Sequence, residues 1–154
     1  MEGNVVSVER TIPAPAAAIF DLLADPTNHP VIDGSGTVKR STQGPKRLTL
    51  GDTFGMSMKL GIAYSMVNTV VECEENKRIA WQARPRGFMG KISAGRIWRY
   101  ELEPDPSGGT RVRESWDISQ DKQKAFLRRG RLPEKTRENM ADTLARIADL
   151  LAPK

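Results

Sequence analysis

Apolar side chains recur at every second position through most of the middle of this chain, and near every third or fourth position in its last twenty residues. The first spacing belongs to half-buried strands and the second to an amphipathic helix. The chain opens on a partial alternation, in which Val6, Val8 and Ile12 share one face of an extended segment and Arg10 interrupts it. Pro13 and Pro15 end that strand, and Pro15 suits the first position of a helix, where its missing N–H costs little. Ile19, Leu22 and Leu23 then make a short apolar stripe at helical spacing. Asp25-Pro26 opens a second short turn of helix, closed by Asn28-His29-Pro30.

Beyond the turn Asp33-Gly34-Ser35-Gly36, residues 37–42 read as a short strand and Gln43-Gly44-Pro45-Lys46 as a loop. Phe54, Met56, Met58 and Leu60 alternate with small or polar residues over 53–60, and a long strand follows from Ile62 to Glu75. Glu75-Asn76-Lys77 reads as a hairpin turn into a strand at 78–83, and residues 85–90 read as a loop. Strands at 96–103 and 110–118 are joined by Asp105-Pro106-Ser107-Gly108-Gly109, which is rich in turn-forming residues. Last comes a helix from about Pro133 to Leu151, with Met140, Leu144, Ile147, Ala148 and Leu151 on one face. Hairpin-length joints make the sheet antiparallel. A helix with one apolar face must cover one side of that sheet, which predicts an α+β two-layer domain.

This order resembles the START-like helix-grip superfamily (SRPBCC), and within it the polyketide cyclase/dehydrase-like branch. The resemblance covers nearly the whole chain. It rests most on the N-terminal strand-helix unit, on Asn76-Lys77-Arg78-Ile79-Ala80-Trp81, and on Gly109-Thr110-Arg111-Val112-Arg113-Glu114-Ser115-Trp116. It implies a curved antiparallel sheet of about six to seven strands gripping a long C-terminal helix, with two short helices after the first strand. It also implies a pocket between sheet and helix for an apolar ligand such as a lipid, a polyketide or an aromatic metabolite. Carriers, sensors and enzymes share this fold, so the resemblance does not imply a reaction.

Alternation assigns the side chains that would line such a pocket. Trp98, Tyr100 and Leu102 share one face of their strand, opposed by Ile97, Arg99, Glu101 and Glu103. Val112, Glu114, Trp116 and Ile118 share a face of the next strand, opposed by Arg111, Arg113, Ser115 and Asp117. The charged sides should meet water, which turns Trp98, Tyr100, Glu114 and Trp116 inward. Trp81 joins them beside Ile79 and Ala83, while Phe54, Met56 and Met58 add a soft apolar wall. These aromatics suit a core as well as a pocket. Glu114 stands out because a carboxylate on an apolar face is costly unless it is paired or protonated. It reads either as a polar anchor or general acid/base in a pocket, or as a structural Glu that pairs with an arginine or reaches solvent.

Composition narrows the chemistry. With 154 residues the chain is long enough for a single domain whose core needs neither disulfides nor metals. Cys73 is the only cysteine and reads as a small buried hydrophobe. A transmembrane run and a secretory signal are both absent from the sequence, so a cytoplasmic protein without membrane insertion is expected. His29 is the only histidine, so no metal site is expected, and no phosphate-binding glycine loop or nucleophile elbow is present. No cofactor is therefore expected. His29 remains a candidate catalytic group, against the alternative of a capping or surface residue beside Pro30, and Asp33 reads as a turn residue.

The net charge of +5 is concentrated, with seven basic residues and one acid, Glu134, between Lys122 and Arg137. That segment reads as a solvated connection or as a surface for an anionic partner. Nucleic acid is not the expected partner, because only Phe126 interleaves the charges. The leading expectation is binding of a small hydrophobic ligand. A cyclase or aromatase-like enzyme using Glu114, Tyr100 or His29 is the alternative, and an anionic partner at residues 122–137 the third. The oligomeric state is left open by the sequence.

Overall fold

The structure is a computed structural model and describes residues 3–87, 89–92 and 94–153. β1 (Val5–Ile12) leads into α1 (Ala16–Leu23), a 3-10 turn (Pro26–Asn28) and α2 (His29–Ile32). Four strands follow: β2 (Val38–Ser41), β3 (Thr53–Leu60), β4 (Ile62–Glu74) and β5 (Arg78–Pro85). The short α3 (Met89–Ile92) precedes β6 (Ile97–Pro104) and β7 (Thr110–Asp117), and α4 (Lys124–Leu127) precedes the long α5 (Leu132–Leu151). The seven strands form one antiparallel sheet in the order β1-β7-β6-β5-β4-β3-β2.

Local chemistry explains the boundaries. Pro15 precedes α1 rather than opening it, with the extended ψ of 148° that suits an N-cap. The Asp25 carboxylate accepts from the Thr27 N–H at 3.0 Å and caps the 3-10 turn. Asn76 takes a left-handed φ of 60° in the β4–β5 hairpin, a conformation asparagine tolerates better than most residues. A bulge between Val70 and Glu72 breaks the β4–β5 register, and such bulges bend and twist a sheet.

Two segments expected to be irregular carry some regular structure, though residues 86 and 87 form the expected loop. Pro85 still pairs, opposite Met66, because its missing N–H costs nothing at the last position of a strand; Phe88, in the same predicted loop, lies outside the described residues. Residues 89–92 make the turn of α3. The basic connection after β7 contains α4, which is pinned by Leu127 packing with Trp116, Ile118 and Met140.

α5 lies across β1 and β7 and buries Met140, Leu144 and Ile147. Each such side chain contributes roughly 1.5–3 kcal/mol. The loop after α2 is fastened to α5 at close range. Gly34 donates its N–H to Thr143 Oγ1 at 2.9 Å, and Arg146 Nη1 donates to the Asp33 carbonyl at 2.7 Å. A Cβ on Gly34 would stand 2.2 Å from the Asn139 carbonyl oxygen, so only glycine permits this approach. The outer face of the sheet carries ion pairs, chiefly Arg99 with Glu72 at 2.6 Å and with Asp117 at 3.4 Å. Ser115, expected at the surface, is buried on that face and shares a 2.9 Å hydrogen bond with Ser7.

Candidate functional site

Strand register brings the predicted row together. Tyr100 lies opposite Glu114 and Trp98 opposite Trp116, while Ile79 and Trp81 on β5 face Tyr100 and Trp98 in turn. Directly opposed residues share a face, so all of them lie on the inner side of the sheet. On the far side of β5, Asn68 and Met66 continue that face, opposite Phe54 and Met56. Tyr100, Glu114, Trp116, Trp81, Phe54 and Met56 are buried, whereas Trp98 and Met58 are half-buried.

The row divides into two packed groups. Phe54, Met56, Trp81 and Tyr100 belong to the larger core with α1 and the second half of α5. Trp116 belongs to a smaller cluster with Val6, Ile118, Leu127 and Met140, and Trp98 bridges both. Within the first group His29 stacks on Trp81 with ring centroids 4.6 Å apart, and Phe54 meets both rings edge-on. Trp81 in turn lies 5.7 Å from the Tyr100 ring.

Glu114 is the polar centre of this arrangement. It is only 3% exposed, and the Tyr100 hydroxyl donates to its Oε1 at 2.8 Å. Its Oε2 is buried without a hydrogen-bond partner. Burial pushes the Glu114 carboxyl up to about 8, the Tyr100 hydrogen bond opposes that rise, and the negative charge of Asp33 adds to it. Burial also holds the Tyr100 hydroxyl well above its ordinary value, so it stays a donor. At neutral pH Glu114 is therefore mostly a neutral acid. Tyr100 donates to Oε1, so Oε2 is the oxygen without a hydrogen-bond partner to which that proton is assigned.

His29 is a core residue rather than the capping or surface group that its neighbour Pro30 suggests. It is 7% exposed, and its Nε2 donates to the Leu23 carbonyl at 2.8 Å. Burial pulls the imidazole down to about 4, so the ring is neutral. Its stacking on Trp81 places it one ring away from Tyr100. Asp33 behaves as the turn residue expected, accepting from the Ser35 and Val38 N–H groups, each at 3.1 Å. Cys73 is half-buried against the core, and burial raises its thiol.

Asn68 was missed by the sequence reading. It is a buried amide on the inner face, and the alternation Tyr64, Met66, Asn68, Val70 carried the signal. Two open hollows mark the surface. One, roughly 630 Å³, lies between residues 13–16 and the β6–β7 turn; the other, roughly 520 Å³, is lined by Arg131, Leu132, Lys135 and Glu138. Neither includes a member of the aromatic row. Among the described residues, no group of three or more His, Cys, Asp or Glu side chains is placed to hold a metal ion. No described helix is long and apolar enough to cross a membrane.

The family described as polyketide cyclase / dehydrase and lipid transport matches residues 4–152. Uncharacterized protein Rv0088 of Mycobacterium tuberculosis is 35% identical over 113 residues, which are 73% of this chain and 46% of that protein. The chain thus spans about half the length of the curated relatives it matches. Among solved structures, protein CV1439 from Chromobacterium violaceum superposes with a TM-score of 0.74 at 16% identity, covering 98% of this chain and 99% of that one. Ginseng major latex-like protein 151 from Panax ginseng superposes at 0.69 with 12% identity, covering 97% of each chain. At such identities these two show the shared fold alone.

Proposed function

The chain belongs to the polyketide cyclase / dehydrase and lipid transport family, and on that premise we propose that it binds a small, largely hydrophobic ligand between the inner face of the sheet and α5. The observation that carries this reading is Glu114, a buried neutral acid whose Oε2 has no partner in the protein. A buried polar group left unsatisfied costs about 1–3 kcal/mol, and a ligand oxygen accepting the Oε2 proton removes that cost. A neutral acid donating to a neutral oxygen also avoids burying a charge. Trp81, Trp98 and Trp116 supply flat apolar walls. Phe54, Met56 and Met58 supply a wall that repacks, since an unbranched thioether chain adapts its shape readily.

Native mass spectrometry of the freshly purified chain, paired with a tryptophan-fluorescence titration, tests this. The titrants are 9-fluorenone and fluorene, which match in size and differ by one carbonyl oxygen. A co-purified small molecule, or saturable quenching by the ketone that weakens about tenfold in Glu114→Leu, is the expected result. A bare protein mass together with no saturable quenching by either titrant sinks the reading.

A second reading, proton transfer to a bound polyketide-like substrate, is favoured by the rise of the Glu114 carboxyl to about 8, because a poised acid must hold its proton near neutral pH. Glu114→Gln separates the two. A carrier keeps its affinity in that variant, whereas an acid catalyst keeps affinity and loses turnover.

A further inference from the structure

The ligand reading leaves the basic segment 122–137 without a role. Lys122, Lys124, Arg128, Arg129, Arg131, Lys135 and Arg137 are all exposed. The acid among them, Glu134, stands 3.8 Å from Arg131, and that pair is itself solvent-exposed. The fold holds the segment in a defined orientation. Leu127 is 5% exposed and packs under Trp116, which turns its neighbour Phe126 outward to 68% exposure. Six residues on, Leu132 is 40% exposed at the first position of α5. Beside it lies the hollow of roughly 520 Å³, lined by Arg131 and Lys135 with one acid, Glu138. Arg128 donates to Asn4 Oδ1 at 3.2 Å and Lys122 to the Lys91 carbonyl at 2.9 Å, contacts that leave both positive charges uncompensated.

We propose that this surface docks on a bilayer containing anionic lipids, with Phe126 and Leu132 entering the interface and the surrounding arginines and lysines meeting headgroup phosphates. Cations alone would suit any polyanion. The two apolar side chains decide between partners, because an exposed leucine gains from an acyl boundary and has nothing to stack on in a nucleic acid. Charge complementarity and shallow apolar insertion are the two signals that reversible bilayer binding requires together. The proposal is independent of the ligand reading, since no inner-face residue takes part.

Flotation of the full chain with vesicles of phosphatidylcholine, with or without phosphatidylglycerol, is the test. Binding is expected on the anionic vesicles only. It should fall about fivefold for each basic residue removed, so about 100-fold in the triple variant Arg128→Ser, Arg129→Ser, Arg131→Ser. The double variant Phe126→Ser, Leu132→Ser should lose about tenfold or more while keeping every charge. All five positions are exposed, and an unchanged circular dichroism spectrum confirms that the fold survives. Absence of flotation overturns the proposal, as does equal binding to neutral vesicles. Anionic binding that ignores Phe126 and Leu132, or preference for a single-stranded oligonucleotide over the anionic vesicles, overturns it as well.

Discussion

Glu72 and Glu114 sit on opposite faces of one sheet, and the protein treats the same side chain in opposite ways. On the outer face Glu72 accepts from Arg99 Nε at 2.9 Å and from Nη2 at 2.6 Å, and those hydrogen bonds hold its carboxyl below the ordinary value. On the inner face Glu114 meets a tyrosine hydroxyl, apolar rings and the distant negative charge of Asp33, and burial lifts its carboxyl to about 8. Glu72 is an ion that finishes a structural lattice. Glu114 is an acid that the fold leaves with one unused valence. A carboxylate whose partners are complete explains itself, whereas one that retains its proton at neutral pH and lacks an acceptor points to something outside the chain.

The largest expected effect comes from replacing Glu114 by Gln. Between the ordinary value of 4.5 and about 8, the unfolded chain releases a proton that the folded chain keeps. Stability therefore falls as pH rises through that window, by up to about 1.4 kcal/mol per pH unit. Glutamine has no such proton, so the variant should gain on the wild type steadily between those pH values, reaching several kcal/mol in urea unfolding. Parallel stability curves for the two proteins would remove the contrast between the faces. Glu72 has the opposite slope: its contribution is complete above its ordinary value of 4.5 and is lost as pH falls through its lowered one.

His29 provides a smaller effect of the opposite sign on the same inner face. Its imidazole falls from 6.5 to about 4, so the folded chain refuses a proton that the unfolded chain takes up. Stability should drop as pH falls between those values. His29→Gln should be less stable at neutral pH, through loss of stacking on Trp81, yet should show a flatter acid limb in thermal unfolding. An unchanged limb would mean that the ring is hydrated. Smaller again is Tyr100→Phe, which removes the donor to Oε1 and costs about 1–3 kcal/mol. It should also shift the pH window of Glu114 upward, because the hydrogen bond it deletes is the one that lowers that carboxyl.

What the sequence made legible divides along the same line. Alternation on β6 and β7 turned Tyr100, Glu114, Trp98 and Trp116 to one face, and strand pairing kept them there because period two leaves no other choice. Glu114 was conspicuous for the same reason. The partner of Glu114 was not legible, since that depends on which strands are neighbours and in what register. His29 was obscured more deeply. Its burial comes from α2 folding back over Trp81, a tertiary contact that the dipeptide His29-Pro30 does not encode. α4 was hidden because its apolar residues, Ala125, Phe126 and Leu127, are consecutive within a basic run, a spacing that marks no helical face.

The smallest expected effect tests whether the outer-face lattice is as self-contained as its geometry implies. Glu72→Gln removes one carboxylate from Arg99 but leaves Asp117 at 3.4 Å, so the guanidinium keeps a counterion. Glu72 and Arg99 are also partly solvated, with side chains 26% and 19% exposed. Screening then limits the loss to about 1 kcal/mol or less at neutral pH. The loss should shrink further in added salt and vanish in acid, where the wild-type carboxylate is itself protonated. The Glu114 difference, which arises from burial rather than from a nearby cation, should be indifferent to salt. Chemical unfolding of both variants by urea at low and high salt separates the two mechanisms, and equal salt sensitivity would show that one electrostatic rule governs both faces.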